Sequence, residues 1–198
     1  MTFPDALLLS PLATLPPATY AGALAVAVNC SWPLQKSRHV ILALQTVSAL
    51  LFGLHYLLLG SPTAAAICAA GVVQAVGAAT IANRRLRLSV FGATILVSLA
   101  TTVATFAGVT SVLAQGGGLW SAYGRLQRGA QAIRWCFLAS EAFWVTHNLI
   151  VGSTWGLTSD SLAIPTLLIG LWRGGAFATL RENARKRATA ARRRRQFS

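Results

Sequence analysis

Acid is what this sequence lacks most. Asp5, Glu141, Asp160 and Glu182 are its only carboxylate side chains in 198 residues, and charged residues of both signs make up 11%. A soluble domain carries about 25% charged residues, so an ordinary water-facing surface is excluded. Cysteine is scarce as well. Cys30, Cys68 and Cys136 lie in apolar runs at no metal-ligand spacing, which excludes a disulfide framework and leaves three small hydrophobes. No Lys or Arg precedes Lys36, while Pro4, Pro11, Pro16 and Pro17 crowd the start. Without a positive n-region this is not a cleavable signal peptide, and residues 1–17 are expected to form an external lead-in. No Ser-His-Asp set, zincin pattern, metal-ligand cluster or Gly-rich phosphate loop is visible, so neither an enzyme nor a cofactor is expected.

What is present is apolar. The runs 20–34, 40–59, 64–82, 88–109 and 134–151 hold few charges. A helix needs roughly 20 mostly apolar residues to cross a bilayer. The fold class expected is therefore an all-α integral membrane protein, with helices near 18–34, 39–60, 63–83, 87–107, 109–125, 130–152 and 158–180. The fifth is the least regular, since it carries Gln115 and Gly116-Gly117-Gly118. The net charge of +13 does not point to nucleic acid, because the basic residues sit at the ends of apolar spans or in the last eighteen residues. Lys36/Arg38, Arg84/Arg85/Arg87, Arg125/Arg128 and the tail from Arg181 fall on alternate connections of a seven-span chain. The positive-inside rule then places the N-terminus outside and the C-terminus in the cytoplasm.

The sequence also repeats. HYLLLGS begins at His55 and HNLIVGS at His147, an offset of 92. With the same offset and no gap, Leu34-Gln35-Lys36 falls on Leu126-Gln127-Arg128, Ile41 on Ile133, Ser48 on Ser140, Leu57 on Leu149, and Gly60-Ser61 on Gly152-Ser153. The layout expected is a first triple-helix repeat at 18–83, a connector helix at 84–108, a second repeat at 109–180 and a basic cytoplasmic tail at 181–198. An odd connector makes both repeats run the same way through the membrane, one of the recognised transporter plans.

This 3+1+3 layout resembles the SWEET/PQ-loop superfamily. A closer resemblance is to the YgjV family of bacterial inner-membrane proteins. It is carried by Gln35-Lys36-Ser37-Arg38, by His55 with Gly60, by Arg134, and by Trp144-Val145-Thr146-His147-Asn148 leading to Gly152-Ser153 and Asp160. It spans about residues 30 to 175 and implies a fold and an inner-membrane location, but no substrate. Of the prolines that SWEET proteins place on matching helices, only Pro33 has a counterpart; its repeat partner is Arg125.

Polar residues inside the apolar runs are the candidates for function. Glu141 falls opposite Ala49 at mid-span, where an acid costs about 2.5–3.5 kcal/mol to insert and usually faces a cavity or a partner. Arg134 lies two turns away on the same face, roughly 10 Å along the helix, too far for easy direct contact but within reach through water. A protonated or Arg-satisfied structural glutamate is the alternative to a functional one. Ser48/His55 and Ser140/His147 share helix faces. Each histidine could exchange protons near neutral pH or simply hydrogen-bond a neighbouring carbonyl. Asp160 reads as a cap of the seventh helix or as the acid paired with His147. Asn29 and Asn148 could line a cavity or bridge helices. Trp32, Trp135, Trp172, Trp144 and Trp155 read as interfacial belt anchors. Arg192, Arg193, Arg194 and Arg195 in the tail suit anionic lipid.

The function expected is a small-solute transporter or permease-like protein, in which two triple-helix bundles rock about an axial cavity. The rival is a non-transporting receptor or scaffold of the same layout. The lipid bilayer, anionic lipid at the tail and a small-molecule solute are the partners expected. Nucleic acid is not, and self-association is left open.

Overall fold

In the computed structural model of the chain, residues 16–175 are described. They form seven α-helices and no strand: α1 Pro17–Ser31, extended by a 3-10 turn Trp32–Leu34, then α2 Arg38–Leu58, α3 Pro62–Thr80, α4 Arg84–Ala104, α5 Val109–Leu126, α6 Ala130–Val151 and α7 Thr154–Arg173. By length and composition alone, α2, α3 and α4 are long and apolar enough to cross a membrane.

Local chemistry sets the helix ends. Pro17 and Pro62 occupy first helical positions, where a missing N–H costs nothing. Asn83 caps α4, its side chain accepting from the Arg85 and Leu86 N–H groups. The repeated Gly-Ser has a backbone cause. Gly60 and Gly152 turn left-handed at φ 71° and 68°. The next N–H groups, of Ser61 and Ser153, then donate to Tyr56 O at 2.9 Å and Asn148 O at 3.0 Å. That is a Schellman stop used twice. Helix α7 starts at Thr154 and not near 158, because Ser153 caps it by accepting from Gly156 N–H.

Neighbouring helices touch in the order α1–α2–α3–α5–α6–α7 and back to α1, a closed ring, with α4 outside against α3 and α5. Close approach depends on small residues, as is usual where helices meet in an apolar medium. The three consecutive glycines of α5 each make room for a different neighbour: Gly116 for Phe143, Gly117 for Trp144 and Gly118 for Ile67. This is why so glycine-rich a segment holds as a helix.

Hydrogen bonds across helix ends define two faces of the ring. At one, Arg38 binds Gln127 O and Ala78 O, and Arg134 binds Pro33 O. Every Lys and Arg among the described residues lies toward this basic end. At the opposite end His55 reaches Ala18 O and Ser153 Oγ, and Thr63 reaches Thr105. Between them the outer flanks are apolar and exposed, with Val103 at 77%, Leu96 at 68% and Leu149 at 62%. Bare apolar flanks with all backbone bonds satisfied inside helices are what hydrocarbon requires.

Close packing at the basic end predicts a difference between two glycines. A Cβ on Gly170 would run into the Pro33 carbonyl and Arg134, whereas one on Gly92 meets nothing within 4 Å. Overpacking costs about 1–3 kcal/mol. Gly170→Ala should therefore lower the melting temperature in detergent by several degrees. Gly92→Ala should leave it unchanged or raise it, since Ala is the better helix former. Equal melting temperatures would contradict the contact.

Candidate binding cavity

At the centre of the ring is a cavity with room for water over about 90 Å³. Five of the eight polar residues expected to matter line it: Asn29, Ser48, Ser140, Glu141 and Asp160. The walls are completed by Gln45, Phe52, Tyr56, Cys68, Ser121, Arg125, Phe137, Trp144 and Ser159, among others.

One side of the cavity is acidic. Glu141 on α6 and Asp160 on α7 are both 6% exposed and line the same cavity, and Glu141 Oε2 meets no hydrogen-bond partner. Asp160 accepts from Asn148 Nδ2 at 2.9 Å, and Asn148 Oδ1 accepts from the Tyr56 hydroxyl at 2.8 Å. Gly156 lets this happen: a Cβ there would strike the Asn148 amide. The Tyr56 ring stacks on Trp144 at 5.8 Å and on Phe52 at 5.9 Å, so an aromatic wall stands beside the acids.

The side nearer the basic end is cationic. Arg125 donates Nη1 to Gln74 Oε1 at 3.2 Å and stands 5.3 Å from the Phe137 ring centre. Its Nε meets no partner. Gly71 leaves the space the guanidinium occupies, since a Cβ there would lie 3.1 Å from Nη2. Gln45, 2% exposed, lines the same region, and neither its Nε2 nor its Oε1 finds a hydrogen-bond partner in the protein. A third polar layer holds the walls together: Ser48 Oγ donates to Asn29 Oδ1, Asn29 Nδ2 to Ser159 Oγ, and Ser140 Oγ to Gly117 O.

The two histidines and Asn148 are not in the lining. His55 Nδ1 donates to Ala18 O at 2.8 Å and His147 Nδ1 to Thr110 O at 3.0 Å. A carbonyl can only accept, so Nδ1 carries the proton in each ring. In the neutral ring His55 Nε2 then accepts from Ser153 Oγ at 3.0 Å. His147 Nε2 has no such partner.

Several expectations are corrected by these contacts. Asp160 is not a helix cap, because α7 begins six residues earlier under Ser153. Nor is it hydrogen-bonded to His147; it accepts from Asn148 Nδ2. Arg134 does not satisfy Glu141; its guanidinium is taken up by Pro33 O, Gln35 O and Gln131 Oε1. Trp32 is buried at 1% against Phe137, Trp144 is part of the cavity wall, and Trp155 packs on Gly22. Trp32 and Trp144 are therefore not belt anchors. Arg192, Arg193, Arg194 and Arg195 lie outside the described residues.

Gln45, Tyr56 and Arg125 were missed from the sequence. Amides such as Gln45 in a continuous apolar run were a usable signal. Arg125 was hidden by its place among the topology-setting charges.

An all-helical chain with bare apolar flanks and a polar centre is a polytopic membrane protein by fold and site. It belongs to the Imp-YgjV family, described as bacterial inner membrane protein, which it matches over residues 18–176. No curated protein and no solved structure matches it.

The Tyr56–Asn148–Asp160 chain yields a stability prediction. Tyr56→Phe strips Asn148 Oδ1 of its donor inside the protein, and a buried unsatisfied acceptor costs about 1–3 kcal/mol. Its melting temperature should fall by several degrees, while Tyr123→Phe, at a ring 56% exposed, should change little. A Tyr56→Phe protein as stable as the parent would rule out that bond.

Proposed function

We propose that this protein is a small-solute transporter of seven spans, built as two parallel triple-helix repeats joined by α4, with its basic end in the cytoplasm. Support for the repeat comes from the offset of 92. Shifting α1 with its 3-10 turn, 17–34, gives 109–126, the bounds of α5; α2 falls on α6 and α3 on α7 to within a residue. Contacts follow the same rule, since α3 against α5 maps onto α7 against α1. So do hydrogen bonds: His55 to Ala18 O becomes His147 to Thr110 O, and Ser48 with Asn29 becomes Ser140 with Ser121. The cavity walls pair in this way too, as in Gln45/Phe137, Ala49/Glu141, Phe52/Trp144, Ile67/Ser159 and Cys68/Asp160. Tyr56 and Asn148, 92 apart, bond directly to each other, which suits residues on the axis between the halves.

The observation that carries the transport reading is the position of the cavity between two layers of bonds from one half to the other. At the basic end the layer is Arg134 to Pro33 O and Gln35 O, and Arg38 to Arg125 O and Gln127 O. At the opposite end it is His55 with Ser153 and Tyr56 with Asn148. Opening one layer while the other holds would expose the same cavity to one side at a time. The Glu141–Asp160 pair can release or take up a proton as a charged solute arrives. The histidines act in this reading as ties between helices.

A receptor or scaffold of the same fold is favoured by one observation, the burial of both histidines in helix contacts. The two readings differ in who can reach the cavity. Cys68 lines it, so a Cys30→Ala, Cys136→Ala protein offers one cavity thiol. A small impermeant thiol reagent should label Cys68 in both right-side-out and inside-out vesicles. Labelling from one face alone, or from neither, would contradict transport.

A further inference from the structure

The lining of the cavity is not chemically symmetric, and its asymmetry specifies a ligand. Both carboxyls come from α6 and α7; the positions 92 residues earlier are Ala49 and Cys68. Glu141 lies eleven residues into α6 (130 to 141), roughly 16 Å from the basic end at 1.5 Å per residue. The Arg125 guanidinium reaches Gln74, six residues before the end of α3 (74 to 80), roughly 9 Å from that end. An acidic pair and a guanidinium thus share one small cavity at different depths, and the guanidinium's protein partners are Gln74 and the Phe137 ring, not an acid.

Gln45 supplies an independent observation. An amide buried with neither donor nor acceptor satisfied costs a few kcal/mol. Its neighbours in the fold provide nothing to offset that, so an apolar residue would serve the fold better. Gln45 lies seven residues into α2 (38 to 45), roughly 10 Å from the basic end and so at about the depth of Gln74 and the Arg125 guanidinium. It lines the cavity, where it can meet a ligand. On the other side, the stacked rings of Phe52, Tyr56 and Trp144 stand next to the carboxyls, a combination that attracts an organic cation through its charge and through the ring faces.

We infer that the cavity takes a small zwitterion, with its ammonium between the Glu141–Asp160 pair and the aromatic wall and its carboxylate at Arg125 and Gln45. The inference rests on reading this cavity as the solute site and names the solute class. An amine alone leaves Arg125 and Gln45 unmatched, an acid alone faces two carboxyls, and a neutral sugar leaves both charges without a counter-ion.

The test is binding to the purified full chain in detergent, by thermal shift and calorimetry. The probes are the common protein amino acids, β-alanine and 4-aminobutyrate. The best zwitterion is then compared with its decarboxylated amine, its deaminated acid and glucose. The zwitterion should bind at least about tenfold more tightly than any of the three. Gln45→Leu should weaken it by a similar factor while leaving the melting temperature of the empty protein unchanged or higher. Arg125→Gln should erase the advantage over the amine, and Asp160→Asn should reduce that over the acid. The inference is overturned if no zwitterion binds, if the amine, acid or glucose binds as well, or if Gln45→Leu binds normally. Binding needs no transport, so the outcomes separate: a zwitterion bound by a cavity reachable from one face marks a receptor, and a cavity reachable from both faces without zwitterion binding refutes the solute class alone.

Discussion

Two guanidinium groups close the ring at its basic end, and the cavity depends on them. The last carbonyls of a helix have no partner within it, and where Pro33 and Arg134 are buried no water is at hand to supply one. Arg134 of α6 meets the carbonyls of Pro33 and Gln35, where α1 ends; Arg38 of α2 meets those of Arg125 and Gln127, where α5 ends. In the proposed architecture these are equivalent turns, since 33 and 35 become 125 and 127 at the offset of 92. The arginines, however, are not at equivalent positions: Arg38 falls on Ala130 and Arg134 on Leu42. The same unsatisfied backbone has been met twice from different registers, as expected if the constraint is physical and not only inherited.

The opposite end is closed without a guanidinium, by an imidazole, two hydroxyls and an amide. Each such bond contributes about 1 kcal/mol net, whereas bonds to a guanidinium are roughly twice as strong. The end with His55 and Tyr56 is therefore the one expected to open at lower cost. Between the two layers the proposed repeats differ in chemistry at matching positions. Phe52 corresponds to Trp144, one aromatic for another, but Ala49 corresponds to Glu141 and Cys68 to Asp160.

Much of this was legible in the sequence because it follows from local rules. Seven helices, their near-final bounds and the double Gly-Ser stop all come from apolar run length, basic turns and glycine's access to positive φ. Glu141, Asn29, Ser48 and Ser140 could be picked out because polar residues in apolar runs need a reason. The pairings were not legible. Nothing in the sequence says that Arg134 would reach Pro33 on another helix in preference to Glu141 on its own. Asp160 looked like a cap only because the start of α7 was read four residues late. The tryptophans illustrate the same limit: composition suggests an interfacial belt, but Trp32 and Trp144 turn inward because Phe137 and the glycines of α5 make space for them.

The central claim is that two halves rock about a cavity held between two breakable layers. Paired spin labels test it directly, in a background without cysteine. One pair sits at Lys36 and Arg128, equivalent turns of the basic end, and the other at Pro62 and Thr154, equivalent helix starts at the opposite end; all four are exposed. Double electron–electron resonance should give two distances for each pair. Conditions that lengthen the first pair should shorten the second. A single distance at each end, unchanged across pH and added solute, would mean that the ring does not rock.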